Sequence, residues 1–255
     1  TRPPSFGFSF NSREKRDFFP RLYLFFFDSE PESFKTKFLI KFSNGCLVSP
    51  TSPITSTKIS RPNRVATVKS NDQLGKRAEL ANARNEDPNK YLIGIGQEKM
   101  AVIPPTQDAV TLGANAAFKI LTEEDKKAID LVIFATESGI DNSKSGAVYV
   151  SRLLGLSPYL RAVELKQACY GATAALQLAK GHVALNPDKK ALVIGSDIAR
   201  YGLHTKGEPT QGGGACAMIV GQNPRILELE ETSACYMEDV MDFWRPFNHT
   251  EALVN

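Results

Sequence analysis

The apolar positions of this chain recur in two ways, which together predict alternating helices and strands. One set repeats at helical spacing and comprises Val110, Ala114, Ala117, Phe118 and Leu121. In contrast, residues 129–136 are almost continuously apolar, which is typical of a strand buried on both faces of a largely parallel sheet. Further strands are predicted at 161–166 and 191–195, with a helix between them. The pattern therefore predicts an α/β domain over residues 74–255.

Residues 1–73 show no such periodicity. They are rich in Ser, Pro, Phe, Lys and Arg and include turn-forming pieces such as Ser49-Pro-Thr-Ser-Pro53. We expect a poorly structured extension that contributes little to the core. Its basic, Ser-rich composition is also that of an organellar transit peptide, although Glu30, Glu32 and a phenylalanine cluster argue against targeting. A fusion, a fragment or a misjoined reading frame is the alternative.

Composition and charge exclude several classes of function. The net charge of +3 is too small to indicate nucleic-acid binding, and the apolar run at residues 22–27 is too short to span a bilayer. The four cysteines form no C-x-x-C pair, and the three histidines complete no metal spacing with them. We therefore expect no metal site, no nucleic acid and no membrane partner. Few, widely spaced cysteines fit a reducing compartment, so we expect a cytoplasmic protein.

Cys169 lies between a predicted strand and a predicted helix, with Gly171 at the tight turn. On the first turn of that helix, unpaired amide groups and the positive end of the dipole would favour the thiolate. A nucleophile is one interpretation. The other is a buried cysteine that fills a small gap.

Glu137 follows the strand at 129–136, and Ser196 and Asp197 follow the strand at 191–195. Ligands bind at the carboxyl ends of strands in open α/β sheets, so Glu137 is a candidate acid/base group. A solvated loop glutamate or a helix cap is the alternative.

The segment after residue 208 carries a glycine run and then an alternating pattern. Gly212 to Gly214 precede no phosphate-binding helix, so we expect them to allow close backbone approach. Residues 225–230 alternate like a half-exposed strand, and the turn at 221–224 predicts a hairpin.

Six segments, in this order, resemble those of 3-hydroxy-3-methylglutaryl-CoA synthases of the bacterial type. They are Tyr91-Leu-Ile-Gly-Ile-Gly-Gln97, Ala135-Thr-Glu-Ser138, Glu164-Leu-Lys-Gln-Ala-Cys-Tyr170, Ala199-Arg-Tyr-Gly202, Gly207-Glu-Pro-Thr-Gln-Gly212 and Asp242-Phe-Trp-Arg-Pro246. The resemblance covers residues 80–254 and corresponds to the amino-terminal half of the family. It implies an incomplete thiolase-like fold, in which two βαβαβ halves stack helices between mostly parallel sheets.

The resemblance also implies a chemistry, the condensation of acetyl-CoA with acetoacetyl-CoA in the mevalonate pathway. Cys169 would carry the acetyl group and Glu137 would be the general acid/base. Four further positions match family residues that line or order the site: Tyr170, Asp197, Thr210 and Asp242. The resemblance implies no cofactor beyond the CoA thioesters, and it implies a homodimer.

The chain departs from the family pattern in two places. Residues 1–73 replace a short first strand that ends in Val-Pro, so we expect the sheet to lack a central element. The family's catalytic histidine, in a Phe-His-Val/Ile-Pro segment, is expected beyond Asn255, and His182, His204 and His249 do not match it. We therefore expect a chain that does not complete turnover alone.

Two other functions remain open at this point. A 3-oxoacyl carrier-protein synthase of the same fold also has an Ala-Cys-x-Gly loop, but it lacks a carboxylate at the position of Glu137. The other is a non-catalytic thiolase-like fragment.

Overall fold

The computed structural model describes residues 61–69 and 73–255, and side chains from residue 77 onward. The strands are β1 (Arg61–Lys69), β2 (Gln73–Lys76), β3 (Lys99–Val102), β4 (Ile129–Ala135), β5 (Arg161–Leu165), β6 (Lys190–Ala199), β7 (Gly212–Gly221), β8 (Phe243–Trp244) and β9 (Leu253–Val254). The helices are α1 (Arg77–Ala83), α2 (Pro88–Leu92), α3 (Ala109–Phe118), α4 (Glu123–Ala128), α5 (Gly146–Leu153) and α6 (Gly171–Leu185).

A five-stranded sheet in the order β1-β7-β6-β4-β5 organises the domain. β4 pairs in parallel with both β5 and β6, whereas β7 runs antiparallel to β6 and β1. Alternate residues of β4 enter the two faces of the sheet. Val132 and Phe134 pack with α3 and α5, and Ile133 packs with α6. The sheet therefore lies between two helical layers, and the predicted α/β, thiolase-like fold is confirmed.

The small residues of α6 bring this helix close to the sheet. Ala175, Ala179 and Val183 are fully buried against β4 and β6. Gly195 in β6 has no room for a side chain, because an added Cβ would lie 3.0 Å from the Cβ of Ala172. This close packing fixes the start of α6, and with it Cys169, at the carboxyl ends of β4 and β5.

The structure differs from the expected irregular extension at residues 61–69, which form β1. β1 pairs antiparallel with β7, with a register irregularity between Pro62 and Arg64. The strand lies at the edge of the sheet, where a proline without an N–H is tolerated. The sheet therefore has a first strand before residue 73, and this strand lies at the edge of the sheet and not at its centre. Residues 1–60 and 70–72, where the transit-peptide and fusion hypotheses apply, lie outside the described residues.

Two smaller expectations also need correction. The sequence favours Thr106 as the N-cap of this helix, with Asp108 in its first turn. In the structure the N-cap of α3 is Asp108, whose carboxylate accepts from the Thr111 amide at 2.7 Å. Residues 225–230 form no strand, because both edges of β7 are already paired with β1 and β6 and a hairpin partner would have no free edge. Within the described part of the chain, no helix has the length and apolar character needed to cross a membrane.

Candidate active site

Cys169 lies in a short 3₁₀ turn, Ala168–Tyr170, between the end of β5 and the start of α6. Ala168 has a φ of 39°, a left-handed conformation that is unfavourable for any residue with a Cβ. Cys169 is exposed to a cleft of about 440 Å³, lined by residues 167–169 on one side and by residues 238–244 on the other. The nucleophile candidate is therefore accessible to a ligand.

The electrostatic surroundings of Cys169 differ from the sequence-based expectation. Partial burial of the sulfur raises the pKa of the Cys169 thiol, and the nearby Glu137 and Asp197 carboxylates raise it further. A backbone hydrogen bond acts in the opposite direction but is outweighed. The prediction that the helix start favours the thiolate is therefore wrong for the free protein. Cys169 needs a base to remove its proton at neutral pH.

Glu137 is the candidate for that base. It lies two residues after Ala135, the last residue of β4, and burial together with the charge of Asp197 raises the pKa of Glu137 to about 7. Arg245 opposes this shift electrostatically and donates a hydrogen bond to the Glu137 carbonyl oxygen. Near pH 7 the carboxyl group is thus present in both protonation states, which is what a group that alternates as acid and base requires.

Asp197 holds the turn that carries Glu137. Its Oδ1 atom accepts four hydrogen bonds: from Thr136 Oγ1 at 2.9 Å, the Glu137 amide at 2.7 Å, the Ser138 amide at 3.2 Å and Ser138 Oγ at 3.0 Å. Ser138 Oγ in turn accepts from the Ile198 amide at 2.9 Å. Because one oxygen of β6 binds three consecutive residues after β4, the position of Glu137 is fixed across the sheet.

Tyr201 joins this group, although the sequence did not single it out. Tyr201 and Glu137 line the same small pocket. Burial raises the pKa of the Tyr201 hydroxyl, and the charges of Glu137 and Cys169 raise it further. The hydroxyl is hydrogen-bonded to Thr210. Gly207 packs against the ring so closely that an added Cβ would lie 2.7 Å from Tyr201 Cδ1.

The other predicted site residues, Thr210, Asp242 and Tyr170, differ in their contacts with the site. Thr210 contacts Tyr201 as described, and its hydroxyl also donates to the Gly207 carbonyl at 2.8 Å. Asp242 lines the cleft beside Cys169. Tyr170 follows Cys169 directly but is 46% exposed, and its role stays a prediction.

Two site residues, Tyr201 and Arg245, were missed by sequence reasoning. Both lie in segments that follow the family pattern, Ala199-Arg-Tyr-Gly202 and Asp242-Phe-Trp-Arg-Pro246. Their roles depend on contacts between residues distant in the chain, such as the hydrogen bond from Arg245 to Glu137 across 108 positions. Their position in these family segments was the one feature of the sequence that could have identified Tyr201 and Arg245 as site residues.

Among the side chains that the structure describes, no group of three or more His, Cys, Asp or Glu residues could hold a metal ion. His182 lies away from the site, with Nε2 2.7 Å from Oδ1 of Asp130 near the start of β4. The candidate site therefore consists of the Cys169 thiol, the carboxyl groups of Glu137 and Asp197, and the Tyr201 phenol, near the carboxyl ends of the parallel strands.

Comparison with known proteins decides the family. A family model described as hydroxymethylglutaryl-coenzyme A synthase N terminal matches residues 65–225, most of the described chain. The chain belongs to the hydroxymethylglutaryl-CoA synthase family. The match begins within β1, which supports the assignment of that strand to the domain.

Individual hydroxymethylglutaryl-CoA synthases are also similar to this chain. The enzyme of Enterococcus faecalis is 60% identical over 176 residues, which are 69% of this chain and 46% of that protein. A crystal structure of an HMG-CoA synthase complexed with CoA has a TM-score of 0.75 and 48% identity, covering 77% of this chain and 50% of that one. MvaS in complex with 3-hydroxy-3-methylglutaryl coenzyme A has a TM-score of 0.73 and 40% identity, covering 78% and 49%. The chain thus spans about half the length of the relatives that it matches.

Proposed function

We propose that this chain carries the acetyl-transfer site of a hydroxymethylglutaryl-CoA synthase of the mevalonate pathway. The site would take acetyl-CoA and acetoacetyl-CoA and form 3-hydroxy-3-methylglutaryl-CoA through an acetyl group on Cys169. The observation that carries the proposal is the carboxyl group of Glu137, with a pKa of about 7, beside an accessible thiol. The relatives complexed with CoA and with the product support the substrate class.

In the first step, Cys169 Sγ attacks the thioester carbonyl of acetyl-CoA. Glu137 accepts the thiol proton, the bond from the acetyl carbon to the CoA sulfur breaks, and the proton returns to the departing CoA thiolate. Backbone N–H groups at the turn around Cys169 are candidate donors to the oxyanion. The raised pKa of the thiol also keeps Cys169 neutral until a substrate arrives.

In the second step, Glu137 removes a proton from the methyl group of the acetyl-cysteine. The resulting carbon nucleophile attacks the ketone of acetoacetyl-CoA, and the alkoxide takes a proton. Water then cleaves the bond to Cys169 and releases the product. The histidine expected from the family to polarise this ketone is not among the described site residues. Glu137 can return the proton that it removed, because its pKa lies near neutrality.

Labelled substrates separate these steps. Acetyl-CoA alone should label the wild-type protein, whereas subsequent acetoacetyl-CoA should discharge the label into product only slowly, because the histidine expected to polarise the ketone is not among the described site residues. Cys169→Ser should take no stable label, and Glu137→Gln should lose condensation by about a hundred- to ten-thousand-fold. Label on Cys169→Ser, or full condensation by Glu137→Gln, would contradict the assignment. A non-catalytic fragment would show neither reaction.

A carrier-protein synthase of the same fold is disfavoured, because the carboxyl group of Glu137 is at the site, where that class lacks one. The proposed chemistry needs no cofactor besides the CoA thioesters. A cytoplasmic location is proposed from the sparse cysteines alone.

A homodimer is supported by the edge strand β5. Among the described strands, β5 pairs only with β4, and the neighbouring Tyr159 is 91% exposed. An exposed edge next to apolar side chains is a ready surface for pairing with a second copy. Light scattering of the purified protein should give twice the chain mass, and a Val163→Lys variant on the edge should shift it to the monomer. A wild-type monomer would exclude the dimer.

A further inference from the structure

The carboxylate of Glu208 is buried and binds an arginine from the start of the domain. Glu208 is 3% exposed. Arg84 Nε donates to Oε2 at 2.8 Å and Nη2 donates to Oε1 at 2.5 Å, which is a bidentate pair between residues 124 positions apart. The His204 amide also donates to Oε2, at 2.9 Å. These donors lower the pKa of Glu208 to about 2, so the ion pair is formed at neutral pH.

Glu208 lies inside the loop that holds Tyr201. Gly207, the preceding residue, contacts the face of the Tyr201 ring, and Thr210, two residues further on, binds its hydroxyl. The loop is also held by its own turns, such as the hydrogen bond from the Thr210 amide to the Gly207 carbonyl at 2.9 Å. Its first residues contact the Phe243 ring and form a bridge with Ala252. Arg84 is therefore a side-chain anchor that reaches the loop from outside.

The contacts form a continuous path to the reacting groups. Arg84 fixes Glu208, Glu208 fixes the segment that carries Gly207 and Thr210, and this segment fixes Tyr201. Tyr201 lines the same small pocket as Glu137. A misplaced group near a reacting centre costs rate steeply, even when the cause is remote.

We propose that Arg84 and Glu208 are positioning residues for acetyl transfer, acting through the loop that holds Tyr201. The proposal rests on the proposed function. Planar, bidentate geometry is what an arginine supplies and a lysine does not, so the pair fixes orientation as well as distance.

A second buried ion pair provides a matched control. Asp125 is as buried as Glu208, and its Oδ1 lies 2.7 Å from Lys190 Nζ. Lys190 begins β6, whereas Asp197 lies near the other end of that strand. Lys190→Gln therefore also leaves a buried carboxylate without its cation, but at a distance from Tyr201 and Cys169.

The test compares Arg84→Gln, Arg84→Lys, Glu208→Gln and Lys190→Gln in two backgrounds, wild type and Tyr201→Phe. The first readout is the rate of acetyl transfer from labelled acetyl-CoA to Cys169, corrected for the folded fraction. The second is tryptic cleavage after Lys206, an exposed residue of the loop, followed by mass spectrometry. The second readout needs no substrate.

We expect Arg84→Gln to lower acetyl transfer by about ten- to a hundredfold, with a smaller loss in Arg84→Lys. In the Tyr201→Phe background the same change should cost less than about twofold, because residues that act through one group are not additive. Cleavage after Lys206 should accelerate in Arg84→Gln and Glu208→Gln but not in Lys190→Gln. If Arg84→Gln does not fold, Arg84→Lys and Glu208→Gln decide by the same criteria.

Equal losses in both backgrounds would overturn the proposal, as would a loosened loop with unchanged acetyl transfer. A loss of transfer without faster cleavage would also overturn it. A wild-type protein that takes no acetyl group would instead refute the proposed function, and cleavage after Lys206 would still decide whether the ion pair fixes the loop.

Discussion

Replacing Asp197 separates its hydrogen-bonding role from its charge. In Asp197→Ala the acceptor of four hydrogen bonds is lost. The Ser138 amide still reaches Thr136 Oγ1 at 2.9 Å, and Ser138 Oγ still reaches the Ile198 carbonyl at 3.2 Å. The Thr136 hydroxyl and the Glu137 amide are left without these partners. At about 1–3 kcal/mol for each buried unsatisfied group, the free energy of unfolding should fall by about 2–6 kcal/mol.

Asp197→Asn should behave differently, because an amide oxygen can accept the same hydrogen bonds. We expect a loss of about 1 kcal/mol or less. The negative charge, however, is gone, and that charge raises the pKa of both Glu137 and Cys169. In the Asn variant both pKa values should therefore be lower, and the alkylation of Cys169 by iodoacetamide should begin at lower pH than in the wild type.

Urea unfolding measures the first effect, and pH-dependent alkylation with peptide mapping measures the second. Asp188→Asn, at an exposed turn position, is the matched control and should change neither. Equal destabilisation by Ala and Asn would refute the hydrogen-bond argument. An alkylation profile that stays in place, or moves to higher pH, in Asp197→Asn would refute the electrostatic one.

Three further predictions follow from single contacts. Glu137 can remove a proton only as the carboxylate, so the exchange of the acetyl methyl protons with solvent should rise with pH through about 7. Arg245 lowers the pKa of Glu137, so Arg245→Gln should move the midpoint of this pH profile higher. An unmoved midpoint would contradict this. Gly113→Ala places a Cβ 2.7 Å from Phe134 Cε2 in the core and should lower the free energy of unfolding by about 1–3 kcal/mol. Gly181→Ala on α6 adds a Cβ that meets nothing within 4 Å and should stabilise the protein slightly. The urea unfolding midpoints of the two variants distinguish these outcomes. The pKa of Glu208 is lowered from 4.5 to about 2, so its contribution to stability is complete above about pH 4.5 and disappears as pH falls toward 2. Glu208→Gln should therefore make the stability depend less on pH in this range. An unchanged acid-unfolding curve would argue against the ion pair.

The elements that the sequence predicted best are those set by local pattern and burial. The apolar run at 129–136 contains β4, Ile129–Ala135. The hairpin at 225–230 failed for a non-local reason, because β1 occupies the edge of β7. Alternation describes a strand's faces, but it does not show whether a partner edge is free.

In the candidate site, too, features set by local sequence were predictable and features set by long-range contacts were not. The positions of Glu137 and Cys169 at strand ends were predictable, since each follows a recognisable strand. The sign of the Cys169 pKa shift was not. It depends on the burial of the sulfur and then on the carboxylates of the turn after β4 and of β6, which only the folded sheet brings together. Tyr201 and Arg245 belong to the same class of long-range contact.

The location of an acetyl group after incubation with acetyl-CoA tests the central claim most directly. The protein is exposed to acetyl-CoA alone, quenched in acid, digested and mapped by mass spectrometry over all four cysteines. We predict acetylation of Cys169 in preference to Cys216 and Cys235, because burial raises the pKa of Cys216 to about 11 and Cys235 is not among the residues that line the cleft at Cys169. Acetylation of Cys216 or Cys235 in preference to Cys169, or no acetylation of the folded protein, would contradict the account.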